Sequence, residues 1–307
     1  MNQALRPSHM DVSNTVDVTD PSAVSAAVRG ILEACHPRYD FSGIDGLVAD
    51  FSRLYAGDFP GFRACEIRYH DTQHVLDVTL AMARLLAGHE AEPGSAGPLG
   101  PELALAGIAA ALFHDSGYIR RVRDNRHKNG AAYTRVHVSR GARFMADYLP
   151  QVNLGELVGV CTRIVQFTGY ETDPRNLPVA SDKERCLGAL LGTADLIAQM
   201  ADVDYLRKCH DHLYEEFEIG GFAGEYGSEN HSGMVYRSRN HLLETTPEFI
   251  RTTIELRLER QFGGVYRCAG RFFGGRNFYM DAIFYNCRQL QALLSGAEPA
   301  VNSHFIP

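Results

Sequence analysis

The sequence predicts an all-α protein, and three observations lead to this expectation. Apolar residues recur at intervals of three and four along most of the chain, which is the spacing of a helix face. Stretches with the alternating pattern of a β-strand are few and short. The one long stretch rich in Gly, Pro and Ala, residues 88–101, is typical of a surface connection between two helices. We therefore expect one helical bundle over residues 21–300.

The predicted elements can be assigned in order from the N-terminus. Residues 1–20 are polar and are expected to form a disordered lead. Asp20 and Pro21 predict a helix start, because Asp is a good N-cap and Pro suits the first turn, and this helix should run to about Cys35. The segment 57–61 (GDFPG) separates the next two helices. Further helices are expected at 44–55, 69–88, 103–113, 137–149, 152–167, 183–200, 202–218, 247–262 and 276–295.

Length, charge and cysteine usage limit the class of protein. A chain of 307 residues with 45% hydrophobic content can bury a large core. The net charge of −7 argues against general nucleic-acid binding, although metal ions or local Arg and Lys residues can still bind a phosphate ester. The 7 cysteines form no C-x-x-C pair, which predicts reduced thiols and a cytoplasmic protein. No segment has the pattern of a signal peptide or of a membrane span, and a homo-oligomer is compatible with all of these features.

Residues 69–78 (YHDTQHVLDV) place two histidines and two aspartates at the predicted opening of one helix. The apolar residues that follow recur mainly at helical intervals, which predicts an amphipathic helix. His70 and His74 would then lie one turn apart on one face, with Asp77 close to it. Such a group can serve one metal centre or one substrate. The alternative is a pair of surface histidines beside a helix N-terminus, where Asp71 interacts favourably with the helix dipole.

Two later stretches set further ligand-type residues into apolar helices. The apolar run 103–113 (LALAGIAAALF) ends abruptly in His114 and Asp115, and Asp195 lies inside another apolar run. Charged groups are rarely buried unless they are paired or coordinate a metal. A capping role for Asp115 and an arginine partner for Asp195 are the alternatives for each residue alone. Together with His74, these residues form a two-His, two-Asp set that suits manganese, iron, zinc or magnesium.

This order of residues resembles that of the HD-domain metal-dependent phosphohydrolases, in which a His, a His-Asp doublet and a distant Asp lie on an all-helical bundle. The resemblance covers about residues 65–200. It implies an HD-type catalytic domain over 21–300, with a metal core at about 65–200 and a C-terminal helical extension at about 201–300.

The first stretch is also similar to the signature of cyclic nucleotide phosphodiesterases, which reads Tyr-His-Asn, two residues, His, and then an Asp-Val pair. This chain has Asp71 in place of the Asn. The phosphodiesterase pattern continues with a His four residues after the His of the doublet, where this chain has Tyr118, and no equivalent of the nucleotide-binding Gln is found. The similarity to the superfamily is therefore stronger than the similarity to that class of enzymes.

The resemblance implies specific roles for these residues. Two divalent ions are expected, with Asp115 bridging them and His137 as a candidate ligand of the second ion. Metal coordination lowers the pKa of water from about 15.7 towards 7, so the expected nucleophile is a metal-activated hydroxide. His70 is the expected general acid, since a poor alkoxide leaving group needs a proton. Asp77 is expected to orient a histidine.

A basic segment follows the doublet and includes Arg121 and Arg123. Basic runs are usually solvated surface, and this is the plainer interpretation. Because the segment follows a predicted metal centre, the alternative is that Arg121 and Arg123 bind the phosphate oxygens of the substrate. His127 is interpreted as an exposed loop residue.

The last hundred residues carry weaker signals. The glycine- and aromatic-rich stretch 220–227 (GGFAGEYG) belongs to a predicted loop, 219–245, that either covers a pocket or is an ordinary connection. The pattern of Phe278, Ile283, Phe284 and Leu290 predicts a core-facing helix. Four histidines in this region are interpreted as structural or surface residues: His210, His212, His231 and His241.

The sequence thus predicts a metal-dependent phosphohydrolase that hydrolyses a nucleotide phosphodiester and binds a small phosphate ester as its partner. Two alternatives are a nucleotidase that removes a single phosphate and a regulatory HD protein that binds a nucleotide without turnover. The intact doublet and the presence of His70 favour an enzyme, because a site without turnover has no chemical need for a general acid.

Overall fold

The computed structural model describes residues 6–224 and 235–296, and the fold in these ranges is all-helical, as the sequence predicts. The described residues contain no β-strand, and their only strand-like pairings are three isolated bridges. The first six helices are α1 (Pro21–Cys35), α2 (Gly43–Ala56), α3 (Thr72–Ala91), α4 (Pro101–Phe113), α5 (His137–Tyr148) and α6 (Val158–Ile164). The next six are α7 (Asp182–Ala201), α8 (Tyr205–Lys208), α9 (Tyr214–Gly220), α10 (Arg239–Thr252), α11 (Arg267–Phe272) and α12 (Phe278–Leu294).

Side-chain caps fix where several helices begin. Asp20 accepts a hydrogen bond from the backbone N–H of Ser22, and Pro21 occupies the first turn of α1, as predicted. Asp71 caps α3 in the same way by accepting from the N–H of His74 at 2.9 Å. His70 therefore lies just before the helix and not on its first turn.

Helix α3 is the centre of the bundle and is enclosed by α1, α4, α7 and α11. Every residue from Val75 to Leu86 is buried, including Asp77 and Arg84. The prediction of an amphipathic helix is therefore wrong, because helices pack against all sides of α3 and leave it no solvent-facing side.

The N-terminal segment corrects a second prediction. Residues 6–20 are not a disordered lead, because Val12 and Val18 are buried in the core; residues 1–5 lie outside the described ranges. Asp11 is fully buried and forms an ion pair of 2.6 Å with Arg84 on α3. Burial disfavours the Asp11 carboxylate, but Arg84 and hydrogen bonds from Ser13 outweigh this cost and lower its pKa to about 2.

Several helix limits also differ from those predicted. The predicted helix 152–167 is the short α6 flanked by 3-10 turns, and the predicted helix 202–218 is α8 and α9 joined by a π-helical segment, Cys209–Leu213. Helix α10 begins eight residues before Pro247, because Ser238 caps it, and continues as a second π-helical segment, Thr253–Gln261. The short helix α11 has no counterpart among the predicted elements.

No single helix in the described ranges combines the length and the apolar character needed to cross a bilayer. By length and composition alone, α7 passes such a test only jointly with the segment Tyr205–Gly220, from which it is bent by 97°.

The ion pair between Asp11 and Arg84 yields a stability prediction. Asp11→Ala leaves a buried guanidinium without its carboxylate, so the free energy of unfolding should fall by about 3–5 kcal/mol in urea titrations. Ionised Asp11 stabilises the fold above its unfolded-state pKa of about 3.9, and this contribution is lost as the pH falls towards 2. The deficit of the variant should therefore shrink between about pH 4 and pH 2. Asp58→Ala, at an exposed position, is the control and should change stability by about 0.5 kcal/mol or less; an equal loss in both variants would contradict the assignment.

Candidate metal centre

Three helices bring the predicted ligands to one point. His74 lies in the first turn of α3, His114 and Asp115 follow the C-terminal end of α4, and Asp195 lies on α7. Helices α3, α4 and α7 all pack against one another, so the predicted set is assembled by the centre of the bundle.

The ligand-type atoms of this set face one another. His74 Nε2 lies 3.6 Å from Asp115 Oδ2 and 3.4 Å from Asp195 Oδ1. His114 Nε2 lies 3.1 Å from Asp115 Oδ2 and 3.8 Å from Asp195 Oδ1. Two atoms that each bind an ion at about 2.0–2.2 Å, near tetrahedral or octahedral angles, lie roughly 3–3.6 Å apart, so the spacing suits a single ion. A buried group of His74, His114 and Asp115 can thus hold a metal ion.

Three of these atoms have no other partner. His74 Nε2, His114 Nε2 and Asp115 Oδ2 are buried, and apart from their close approaches to one another and to Asp195 they form no hydrogen bond with any described residue. Each unsatisfied buried polar group costs about 1–3 kcal/mol, and a native fold seldom concentrates three of them at one point. A divalent ion placed between them would satisfy all three at once.

Backbone carbonyls fix the histidine tautomers needed for metal binding. His114 Nδ1 lies 2.8 Å from the carbonyl oxygen of Ala111 and donates to it, which leaves the lone pair on Nε2. Burial alone would lower the pKa of His114, but Asp115 and Asp195 raise it to about 9. A metal ion therefore competes with a proton at this nitrogen below pH 9.

His137 lies on the other side of Asp115. Its Nε2 is 3.8 Å from Asp115 Oδ1, whereas Asp115 Oδ2 faces His74 and His114. His137 Nδ1 lies 2.6 Å from the carbonyl oxygen of Thr134, and burial lowers the pKa of His137 and favours its neutral form. One oxygen of Asp115 thus faces His74 and His114, and the other faces His137.

Two glycines allow this approach of α5 to the doublet. A Cβ at Gly117 would lie 1.8 Å from the carbonyl oxygen of His137, and one at Gly141 would lie 2.7 Å from the carbonyl oxygen of His114. Any larger residue at these positions would push α5, and His137 with it, away from Asp115. Gly141 is the first residue of the Gly-Ala pair whose spacing after His137 underlies the prediction of His137 as a candidate ligand.

His70 is held by a residue that sequence reasoning missed. Its Nδ1 lies 2.6 Å from Glu216 Oε2, and the other oxygen of Glu216 accepts from the backbone N–H groups of Arg68 and Tyr69. Burial lowers the pKa of His70, but Glu216 and then Asp115 raise it more, to about 9. His70 is therefore protonated at neutral pH.

Tyr118 lies between two histidines of the site. Its ring stacks on His70 at a centroid distance of 4.7 Å and on His137 at 4.4 Å, with interplanar angles of 21° and 14°. The residue at which this chain departs from the phosphodiesterase pattern therefore fills the space between His70 and His137.

A cavity of about 490 Å³ opens beside these residues. His70, Asp115, His137 and Asp195 belong to its wall, and most of the remaining wall is aromatic or aliphatic. Such a volume suits one small organic molecule. Residues 225–234, within the predicted loop 219–245, lie outside the described ranges.

Two predicted substrate-binding residues do not reach this cavity. Arg121 is 59% exposed, lies over the ring of Phe62 and faces Asp147 at 3.5 Å. Arg123 is exposed too, and neither side chain lines the cavity. The predicted phosphate-binding role of Arg121 and Arg123 is therefore wrong, since their segment is solvated surface; Arg135, on the cavity wall, is the better placed cation.

The expected role of Asp77 is also wrong. Asp77 makes no hydrogen bond to a histidine, and its Oδ1 is buried without a partner. Burial raises its pKa to about 7, and the charges that act most on this carboxyl group are those of Arg6, Asp202, Arg84 and Asp11 and not those of the site histidines.

The remaining histidines that the sequence analysis considered do not line the cavity where the structure describes them. His127 is exposed, as predicted. His210, His212 and His241 do not line the cavity, and His231 lies outside the described ranges.

Comparison with known proteins gives no independent identification, because no family model and no curated protein matches the chain. The function of the protein is therefore inferred from the geometry of the site.

Asp115→Ala should remove the metal, because Asp115 contributes to both sides of the site. Loss of a residue that merely orients a ligand weakens metal affinity by about 10–100-fold, so loss of this ligand should weaken metal affinity at least about tenfold and lower the metal content that remains after dialysis. Elemental analysis of the purified protein measures this content, with Asp147→Ala, an exposed position, as the control. Equal metal in Asp115→Ala and wild type would refute the assignment.

Proposed function

We propose that the protein is an HD-type metal-dependent phosphohydrolase that hydrolyses a nucleotide phosphodiester. The observation that carries this proposal is the buried convergence of His74, His114, Asp115 and Asp195, with three polar atoms that lack partners, next to a histidine held by a carboxylate. A purely structural polar cluster would pair its atoms with one another or with the backbone.

The donor set suits two divalent ions of the manganese, iron, zinc or magnesium type. His74, His114, Asp115 and Asp195 would hold the first, and Asp115 Oδ1 together with His137 would contribute to the second. When bound, such ions supply Lewis acidity and lower the pKa of water, so that a nucleophile is available near neutral pH.

The residues of the chain then act on the leaving oxygen. Because His70 Nδ1 is engaged by Glu216, Nε2 is the nitrogen left to donate a proton to a substrate in the cavity. Glu216 keeps His70 protonated at neutral pH, as a general acid requires. Tyr118 limits rotation of the His70 ring by stacking on it.

The charge of the cavity favours an ester with a single negative charge. Among the described residues that line it, Arg135 is the one Arg or Lys, and Glu171 lies on the same wall. Arg135 already donates to the carbonyl oxygen of Gly221 at 3.1 Å and lies over the ring of Phe222. A triphosphate requires several cations, whereas a diester requires few beyond the metal site.

The proposal is tested by offering manganese-loaded protein a panel of cyclic mononucleotides, cyclic dinucleotides, and deoxynucleoside mono- and triphosphates. Turnover of cyclic mononucleotides supports the proposal. Preference for the monophosphates would make the protein a nucleotidase, and binding without turnover would make it a regulatory protein.

His70→Ala provides the mechanistic prediction for the best ester in that panel. The variant should keep its metal but lose about 10²–10⁴-fold in kcat on an ester with an alkoxide leaving group. The loss should be much smaller on bis(p-nitrophenyl) phosphate, because nitrophenolate leaves without protonation. Equal losses on both esters would exclude the general-acid role, and loss of metal would make His70 a ligand.

Glu216→Gln tests the same role through pH. The substitution removes the negative charge of Glu216, which contributes most to raising the pKa of His70. The burial of His70, which lowers this pKa, is unchanged. The pKa of His70 should therefore fall from about 9 to about 7 or below. Since the protonated form is the active one, kcat is lost as the pH rises through this pKa, and the alkaline limb of the kcat profile should move to lower pH. Glu215→Gln, the neighbouring and more exposed carboxylate, is the control. An unmoved alkaline limb in Glu216→Gln would contradict the assignment.

A further inference from the structure

Tyr170 occupies an unusual position on the wall of the cavity. It lies in the connection between α6 and α7, and it lines the same cavity as Asp195. Its side chain is 58% exposed, although most large apolar residues of the chain are buried. Among the described residues, no aromatic ring stacks on the ring of Tyr170. With respect to the described residues, the Tyr170 side chain is therefore accessible to a molecule in the cavity.

The other side of the Tyr170 ring is held by Arg257. The guanidinium carbon lies 4.6 Å from the ring centroid, which is a cation–π contact. The same Arg257 donates from Nη2 to the carbonyl oxygens of Phe167 at 3.1 Å and Gly169 at 2.7 Å. One buried side chain thus fixes both the backbone that leads into Tyr170 and the Tyr170 ring itself.

The burial of Arg257 opposes folding, which argues against a merely structural role for this arrangement. Arg257 is buried, and its Nε has no hydrogen-bond partner. Burial of a guanidinium with an unsatisfied N–H opposes folding. Arg257 also belongs to the π-helical segment Thr253–Gln261, and π-helical turns are frequent at functional sites. Anchoring of the loop alone would need the two backbone contacts but no exposed ring at position 170.

The cavity wall beyond the metal centre suits a flat apolar group. Phe217 and Tyr236 stack on each other there, with centroids 5.4 Å apart and an angle of 4°. Phe249 and Leu242 line the same cavity. Aromatic faces of this kind bind planar rings by stacking and discriminate weakly among non-planar groups.

We propose that Tyr170, positioned by Arg257, is a specificity-determining residue that stacks on a planar ring of the substrate. It selects esters that carry a heterocyclic base over esters that carry only a sugar or an alkyl group. The assignment of the ring to a phosphate ester rests on the proposed function. Ring binding itself does not, since a nucleoside without phosphate is expected to occupy this wall.

A single-tryptophan reporter tests the ring contact directly. The chain contains no Trp, so Tyr170→Trp introduces the only indole of the protein. Adenosine should quench its fluorescence saturably, whereas ribose 5-phosphate should not, because it lacks a base. Phe284→Trp, at an exposed position of α12 that does not line the cavity, is the matched control and should respond to neither compound. Equal responses to both compounds, or no saturable response at Tyr170→Trp, would overturn the proposal.

Affinity measurements separate the role of Tyr170 from that of the metal centre. In calorimetric titrations, Tyr170→Leu should weaken adenosine binding about five- to 150-fold, the effect of losing one base–aromatic stack, and Tyr170→Phe should bind nearly as wild type does. Arg257→Lys should weaken binding less than Arg257→Met, because it keeps a cation near the ring. Unchanged affinity in Tyr170→Leu would overturn the inference even if esters are hydrolysed. Ring-dependent binding without turnover of any ester would support the inference and remove the proposed function.

Discussion

The structure depends on one electrostatic constraint at the centre of the bundle. Two carboxylates and two imidazoles meet in a buried space, and three of their polar atoms have no hydrogen-bond partner. Burial lowers the pKa of His114, but the nearby carboxylates of Asp115 and Asp195 stabilise a proton on this imidazole and raise its pKa to about 9. A divalent ion held by this group would compete with protons for the same nitrogens and oxygens, so its binding would be linked to folding and to pH.

The rest of the fold positions this cluster and separates its functions. Helix α3 carries His74 and is enclosed on all sides, so the ligand has little freedom to move. The glycines at 117 and 141 let α5 bring His137 against the opposite oxygen of Asp115. Glu216, from α9, contacts His70. The group that can hold a metal ion and His70 thus share one opening, and most of its remaining wall is aromatic or aliphatic.

Features with a short sequence range were predictable. Helical periodicity and the Asp20-Pro21 cap located most helices. His114, Asp115 and Asp195 follow or lie within apolar runs, where burial of a charged group is unfavourable unless it has a partner, and this predicted that they converge. Features set by distant contacts were not. Glu216 lies 146 residues from His70, and no local pattern links them. The polar composition of residues 6–20 suggested disorder, but the ion pair of Asp11 with Arg84, 73 residues away, fixes this segment. Arg121 and Asp77 are close to ligands in sequence yet face away from them, because orientation depends on the tertiary packing.

Anomalous X-ray diffraction from manganese-loaded crystals would measure directly whether an ion lies between the candidate ligands and where it lies. We expect an anomalous peak that lies about 2.0–2.3 Å from each of four atoms: His74 Nε2, His114 Nε2, Asp115 Oδ2 and Asp195 Oδ1. A second peak between Asp115 Oδ1 and His137 would mark the second ion. Full manganese occupancy elsewhere on the protein, with no anomalous density between His74 and Asp195, would contradict the account.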